Sequence, residues 1–210
     1  MTRAMSIGIC GAGIGGLAAS ILLARAGHRV TLIDRFDEPG PVGSGLMLQA
    51  TGLAVLAELG LTQEIEQLSS PLTRLWGLST PSGRTVLDVR FEKLRPGLAG
   101  LGIQRPTLFG VLHKAATEED IDLVTSREIT GACAQTGEIQ FRAGPPLPGF
   151  DLIIDAMGVR SPLTRAPRRE LTYGALWTTL DWPDTSPFKA DALEQRYRGA
   201  RQMAGVMASG

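Results

Sequence analysis

Three observations in the 210-residue sequence predict an α/β fold, a Rossmann-like parallel sheet interleaved with part of a second, mostly β domain. A short apolar run, "MSIGIC", ends directly on a glycine cluster, "GAGIGG". A helical stretch and a second β-branched run, "RVTLID", follow it and complete a βαβ unit. Further on, paired alternating runs around "PSGR" have the pattern of a β-hairpin and mark an excursion into the second domain.

The elements are expected in this order. Met5 to Cys10 is a central parallel strand buried on both faces. Ile14 to Gly27 is a helix with apolar residues at Ile14, Leu17, Ile21 and Ala24 and more at Leu22, Leu23 and Ala26, so both its faces are expected to be covered. Gly27 stops it, and Arg29 to Asp34 is the second strand. Glu38 to Gly45 is a loop by composition, and the apolar positions from Leu53 to Leu61 give a short helix. Arg74 to Thr80 and Arg84 to Phe91 are the hairpin strands. A helix starts near Pro106, a residue suited to a first turn, and carries Leu108, Val111, Leu112 and Ala115 on one face. Ile121 to Val124, Glu128 to Ala134, Glu138 to Arg142 and Phe150 to Asp155 are short strands. "TRAPRRE" is a basic loop, and Leu171 to Leu180 and Leu193 to Met207 read as strands of another sheet. The expected division is 1–72 with 102–165 for the first, discontinuous domain and 73–101 with 166–210 for the second.

Composition narrows the functional classes. Lys plus Arg equals Asp plus Glu at 21 each, which gives no field to concentrate the chain on nucleic acid or an anionic membrane, so a small-molecule ligand is expected. Ile14 to Ala24 is too short to span a bilayer and lacks a cationic lead. The two cysteines, Cys10 and Cys133, lack metal-type spacing and make no disulfide framework, which fits a reducing cytoplasm. No metal site is expected, and the oligomeric state is open.

The glycine cluster carries the chemistry. Gly11, Gly13 and Gly16 supply GxGxxG between a strand and a helix: the first for the tight turn, the second for backbone approach to a pyrophosphate, the third for close helix–strand packing. The helix start, with Ile14, offers N–H groups and partial positive charge to phosphates. Asp34, at the end of the second strand and followed by Arg35, is placed to accept from ribose hydroxyls. An adenine dinucleotide is expected, and the acid at position 34 disfavours a 2′-phosphate there, which prefers FAD or NAD to NADP at this site.

With these residues in view, "IGICGAGIGGLAASILLARAGHRVTLIDR" resembles the amino-terminal signature of FAD-dependent monooxygenases of the para-hydroxybenzoate hydroxylase type. "GSGLMLQATGLAVLAELGL" is similar to the family's segment after the second strand, "IQRPTLFGVLHKAA" to its arginine-bearing helix start, and "DLIIDAMGVRSPLTR" to its second flavin motif. The resemblance implies a Rossmann-like FAD-binding domain and a substrate domain whose sheet covers the isoalloxazine. It also implies NAD(P)H as transient reductant and hydroxylation of a small aromatic or similar substrate through a flavin C4a-hydroperoxide, with the cofactor carrying the chemistry. No catalytic residue is assigned, and neither His28 nor His113 is given a role.

The resemblance places Gly43 to Gly45 near the flavin, with Gln49 behind, and implies contact of Arg105 with the FAD ribityl-pyrophosphate region. A cation gains nothing from a helix N-terminus on its own account, so Arg105 either binds an anion together with the N–H groups beside it or is an exposed arginine on a loop. Arg160, Arg165, Arg168 and Arg169 form a basic cluster that either meets phosphates or is a solvated loop, and Trp177 and Trp182 either line a pocket or lie in a core.

Two departures stand out. The family's second motif carries Asp-Gly, but Met157 precedes Gly158 in this chain, and a thioether is a weak acceptor. Asp155, two residues earlier on the same strand face, is the nearest carboxylate and either accepts from a ribityl hydroxyl or is satisfied by neighbouring backbone N–H groups. The chain also ends without the family's third flavin motif and helical tail, so a carboxy-terminally truncated form is expected. The absence of a second GxGxxG favours a monooxygenase over two-dinucleotide disulfide reductases; a halogenase or prenyl-reductase type, or an inactive dinucleotide-binding fragment, are the alternatives.

Overall fold

The structure, a computed structural model, describes residues 3–38, 40, 43–164 and 171–210. The chain divides into two compact units, 1–42 with 109–176 and 43–108 with 177–210. Residues 43–72 and 102–108, assigned from sequence to the cofactor domain, cluster with the second unit.

In the first unit, β1 (Ser6–Cys10) pairs in parallel with β2 (Arg29–Ile33) and with β11 (Leu152–Asp155), and β2 pairs in parallel with β8 (Ile121–Val124). The sheet order is β11-β1-β2-β8. Each parallel step needs a crossover, and α1 (Ile14–Arg25) supplies the one between β1 and β2. Ile7, Ile9 and Cys10 are buried, as the continuous apolar run requires of a strand covered on both faces. The helix buries a single face, Gly16, Leu17, Ser20 and Ile21, while Leu22 and Leu23 are half-buried, so the expectation of two covered faces is corrected. Ser20 is fully buried without cost because its hydroxyl donates to Leu17 O at 2.8 Å, one turn back.

The antiparallel hairpin β9 (Ile129–Cys133) and β10 (Glu138–Phe141) adds Ile129 and Ile139 to a core with Cys10 and Ile33. Val124, Phe141, Phe150, Ile153, Met157 and Leu163 pack against that core. The helix α4 (Arg105–Thr117) starts at the arginine before Pro106, and Leu108, Val111, Leu112 and Ala115 are buried, matching the expected face.

The second unit has two sheets. One is β3 (Gly45–Leu48), β7 (Gly100–Gln104) and β4 (Ser70–Leu72), ordered β3-β7-β4 and antiparallel. The other is ordered β13-β12-β5-β6, from β5 (Arg74–Ser79), β6 (Thr85–Arg90), β12 (Ala192–Arg198) and β13 (Gln202–Val206). The expected hairpin is β5–β6, with Gly83 at φ +67° in its turn. Two short helices, α2 (Ala50–Glu58) and α3 (Thr62–Gln67), bury Leu56 and Ile65.

Several expectations are corrected. Leu171 to Leu180 forms no strand: Leu171, Leu176 and Leu180 are exposed, and among the described residues no neighbouring strand supplies the hydrogen bonds a strand needs. Leu193 to Met207 is two antiparallel strands, not one, because the chain reverses at Gly199 with φ +59°. β3, β4, β7 and α3 were not expected. "GLGIQ" has too many glycines to read as a strand, "SPL" carries a proline, and "TQEIEQ" has one apolar residue.

Candidate functional site

The first unit's candidates converge where β1 hands over to α1. Gly11 has φ +105°, and its N–H donates to Ile33 O at 2.7 Å, so the chain turns sharply at the end of β1. A Cβ there would meet Ala156 O at 2.8 Å and Met157 Cα at 3.1 Å. A Cβ at Gly16 would stand 1.9 Å from Gly11 O, so the third glycine is demanded by packing of the helix on its own entry turn. Gly13 is different. It is the extended N-cap of α1 at φ −75°, and no described atom lies within 4 Å of where its Cβ would be. Among the described residues no contact requires glycine there.

The same turn has the right electrostatics for an anion. The N-terminus of α1 has no side-chain cap and no acidic residue in its first turn, which leaves its N–H groups and partial positive charge for an outside partner. Ile14 begins this turn and is half-buried. Asp34 closes the site from β2: its Oδ2 accepts from Ala12 N–H at 2.7 Å and its Oδ1 from Phe36 N–H at 3.0 Å. Each carboxylate oxygen has a second lone pair, so these bonds orient the group and leave acceptor capacity.

Beyond Asp34 lies a cavity of about 490 Å³ lined by Arg35, Phe36, Ser126, Glu128, Arg142 and Ala143. Arg35 places its guanidinium 4.7 Å from the Phe36 ring centroid. Arg142 grips Glu128 with two bonds, Nε to Oε2 at 2.6 Å and Nη2 to Oε1 at 2.8 Å. The hydrogen bond from Arg142 holds the Glu128 carboxyl below the usual range. Ser126 is held at φ +56°, the left-handed region, while its N–H donates to Phe36 O at 3.0 Å and its hydroxyl to Asp37 at 2.9 Å. Ser126, Glu128 and Arg142 were not found from the sequence. They carry no motif, and Glu128 meets Arg142 only across the β9–β10 hairpin; the sole signal was Arg35, beside the motif acid.

Asp155, on β11, lies in register with Cys10. Its Oδ1 accepts from Met157 N–H at 3.1 Å and its Oδ2 from the Ser161 hydroxyl at 2.5 Å. The Met157 side chain packs toward the core of Cys10, Ile33, Ile129 and Ile139. Gly158 begins a 3₁₀ turn with φ +72°, and no described atom lies within 4 Å of its Cβ position. The Cys10 thiol is pushed up to about 12, by burial first and by the charge of Asp155 second, so it is a neutral packing group.

Two candidates lie in the second unit. Gly45 begins β3 in register with Gln104, and Arg105 N–H donates to Ser44 O at 3.3 Å. The Arg105 side chain is exposed and runs along Gly43, whose Cβ would sit 3.0 Å from its Cδ and Nε; Gly43 itself has φ +113°. The structure therefore brings Gly11, Gly13, Ile14, Gly16, Asp34 and Arg35 together within one unit, with Asp155 on the neighbouring strand and Gly158 in the turn after it, and Gly45 with Arg105 within the other. Arg160 is exposed, while Arg165, Arg168 and Arg169 lie outside the described residues. Trp177 and Trp182 are 70% and 38% exposed, so neither is a core residue. His28 Nδ1 accepts from Met5 N–H at 3.2 Å, and His113 stacks on Phe109. Among the described residues no helix is long and apolar enough to cross a membrane.

A family model described as "FAD binding domain" matches residues 4–142. A Rhodococcus erythropolis protein, "Probable 2-heptyl-3-hydroxy-4(1H)-quinolone synthase AqdB2", is 33% identical over 165 residues, covering 78% of this chain and 41% of its own length. The 3-amino-4-hydroxybenzoate 2-monooxygenase of Streptomyces cremeus is 30% identical over 178 residues, covering 80% of this chain and 43% of its own. The chain thus spans less than half the length of these relatives. Among solved structures, the tetrameric form of 2-methyl-3-hydroxypyridine-5-carboxylic acid oxygenase matches with TM-score 0.68 and 26% identity over 78% of this chain and 42% of that one. Klebsiella pneumoniae HpxO complexed with FAD shares the fold, with TM-score 0.72 and 20% identity over 98% of this chain and 55% of that one.

Proposed function

We propose, from the premise that the chain belongs to the FAD binding domain family, that its first unit holds the adenosine diphosphate half of FAD. The protein it represents is then a flavoprotein monooxygenase, reduced by NAD(P)H, that hydroxylates a small aromatic or similar substrate. The observation that carries the reading is the contrast between the glycines: Gly11 and Gly16 are required by contacts inside the protein, whereas Gly13 faces open space at an uncapped helix start.

The residues divide the work as follows. Gly13, Ile14 and the first turn of α1 receive the pyrophosphate on backbone N–H groups. Asp34, held by Ala12 and Phe36, accepts from the adenosine ribose hydroxyls, and its negative charge repels a 2′-phosphate. The cavity beside it, with Arg35 and Ser126 on its walls, accommodates the adenine end. Gly158 allows close approach on the β11 side. Gly45 and Arg105 keep the flavin-side roles that the family resemblance implies. When bound, FAD supplies the passage of electrons from the nicotinamide to oxygen and the delivery of one oxygen atom to the substrate. The relatives that act on a hydroxybenzoate and a hydroxypyridine carboxylate, by their names, support an aromatic substrate.

Titration of the purified chain with FAD, followed by flavin fluorescence, tests the binding reading. Saturable uptake is expected, and Asp34→Ala should weaken it about tenfold, the loss of a charged hydrogen-bond acceptor. Protein that stays colourless and leaves FAD fluorescence unchanged overturns the reading. NADPH or NADH oxidation stimulated by an aromatic acid in the whole protein tests the activity.

A further inference from the structure

We propose that Asp155 is a positioning residue for the cofactor site, acting through Ser161 and Met157 without touching the cofactor. The proposal rests on the FAD reading above and changes the role of this carboxylate within it.

Each oxygen of Asp155 accepts one hydrogen bond from the turn that follows β11, and the two bonds orient this exposed carboxylate. Oδ1 accepts from Met157 N–H and Oδ2 from the Ser161 hydroxyl, so one side chain spans the turn 157–161 from its first residue to its last. Ser161 is 2% exposed, and it extends the link: its Oγ accepts from Leu163 N–H at 3.1 Å, and its own N–H donates to Gly158 O at 3.0 Å. A buried hydroxyl that donates to one group and accepts from another has one rotamer, and it transmits that constraint to the turn.

The turn so held follows β11 and faces open space. Gly158 stands inside the Asp155–Ser161 bridge in the left-handed region, and Val159 is 89% exposed. The residue at its base is fixed twice, since Met157 gives its N–H to Asp155 and its side chain to the core. The backbone of Ala156 and Met157 also lies against Gly11, at 2.8 Å and 3.1 Å from the place a Cβ would take. A shift at 156–158 therefore moves the first glycine of the pyrophosphate turn as well. One carboxylate sets the relation between the two loops that a dinucleotide has to meet together.

The experiment measures FAD affinity by fluorescence and the visible circular dichroism of bound flavin in the wild type, Asp155→Ala, Ser161→Ala, the double variant, Asp155→Asn and Ser161→Thr. Asp155→Ala and Ser161→Ala are each expected to weaken FAD about tenfold or more and to change the flavin dichroism in the same way, and the double variant to be no worse than the weaker single one, because all three remove the Asp155–Ser161 bond. Ser161→Thr keeps the hydroxyl and is expected to restore wild-type affinity. Asp155→Asn still accepts from Met157 N–H and donates to Ser161 Oγ, and should bind within about threefold of wild type. A loss confined to the Asp155 variants, with Ser161→Ala at wild-type affinity, overturns the proposal and makes Asp155 a direct ligand; so do additive losses in the double variant. Should Asp155→Ala not fold, the Ser161→Ala, Ser161→Thr and Asp155→Asn set decides by the same criteria. Wild-type protein that takes up no FAD removes the underlying reading and the proposal with it, an outcome distinct from the others.

Discussion

Glycine is one residue type with three different reasons at the turn after β1, and the reasons separate fold from function. Gly16→Ala would force a methyl to 1.9 Å from a backbone oxygen that cannot move without undoing the turn. It is expected to unfold the first unit or lower its stability by about 3 kcal/mol or more, read as a drop in thermal midpoint. Gly13→Ala places its methyl where no described atom lies within 4 Å, at a φ of −75° that alanine adopts freely. Its thermal midpoint should stay at the wild-type value while FAD affinity falls about tenfold or more. Equal losses of stability in the two variants would remove the distinction. Of the site candidates, Gly11, Gly13, Gly16 and Asp34 were legible in the sequence because their spacing is local and their chemistry is backbone chemistry. The hydrogen-bond partners of Asp155 and the walls of the cavity were not: Ser161 reaches Asp155 only through a 3₁₀ turn, and Arg142 reaches Glu128 only across a hairpin.

At the scale of elements, the sheet of β13, β12, β5 and β6 shows how a single small residue sets packing. Gly77 on β5 is buried, and a Cβ there would lie 2.7 Å from Tyr197 Cε2 and 3.1 Å from Leu87 Cβ. The Tyr197 ring, whose hydroxyl donates to Gln195 at 2.7 Å, lies over the gap the glycine leaves. Gly77→Ala should therefore destabilise the second unit by about 1–3 kcal/mol. In a Tyr197→Ala background the same change should cost at least about 0.5 kcal/mol less, because the ring it collides with is gone while the Leu87 contact remains. Denaturation of the four proteins of this cycle measures the coupling, and additive effects would count against it. Elements with clean periodicity were readable from sequence: β1, α1, β2, the β5–β6 hairpin and α4. Those whose residues look like turns in isolation, β7 with two glycines and β4 with Pro71, exist because neighbouring strands pair with them. The segment from Leu171 to Leu180 makes the converse point, since its strand-like pattern has no partner among the described residues.

For the molecule as a whole, a ligand that binds only the folded first unit should raise its stability by mass action. FAD at about a hundred times its dissociation constant adds roughly 2.7 kcal/mol, which corresponds to a rise of about 10–15 °C in the thermal midpoint of a unit of that size. Calorimetry with and without FAD measures it, and an unchanged midpoint at saturating FAD would contradict binding to the folded state. The sequence by itself determined the α/β class, the βαβ start and the position of the glycine turn after β1, because each depends on residues within about thirty positions of one another and on intrinsic backbone preferences. Tertiary structure alone decided which glycine faces open space, where the Met157 side chain goes, and that Asp155 spends its hydrogen bonds on the Met157–Ser161 turn. The first two depend on which atoms from distant parts of the chain come within contact distance, and the third on the 3₁₀ turn that folds Ser161 back onto Asp155; residue spacing carries no record of either.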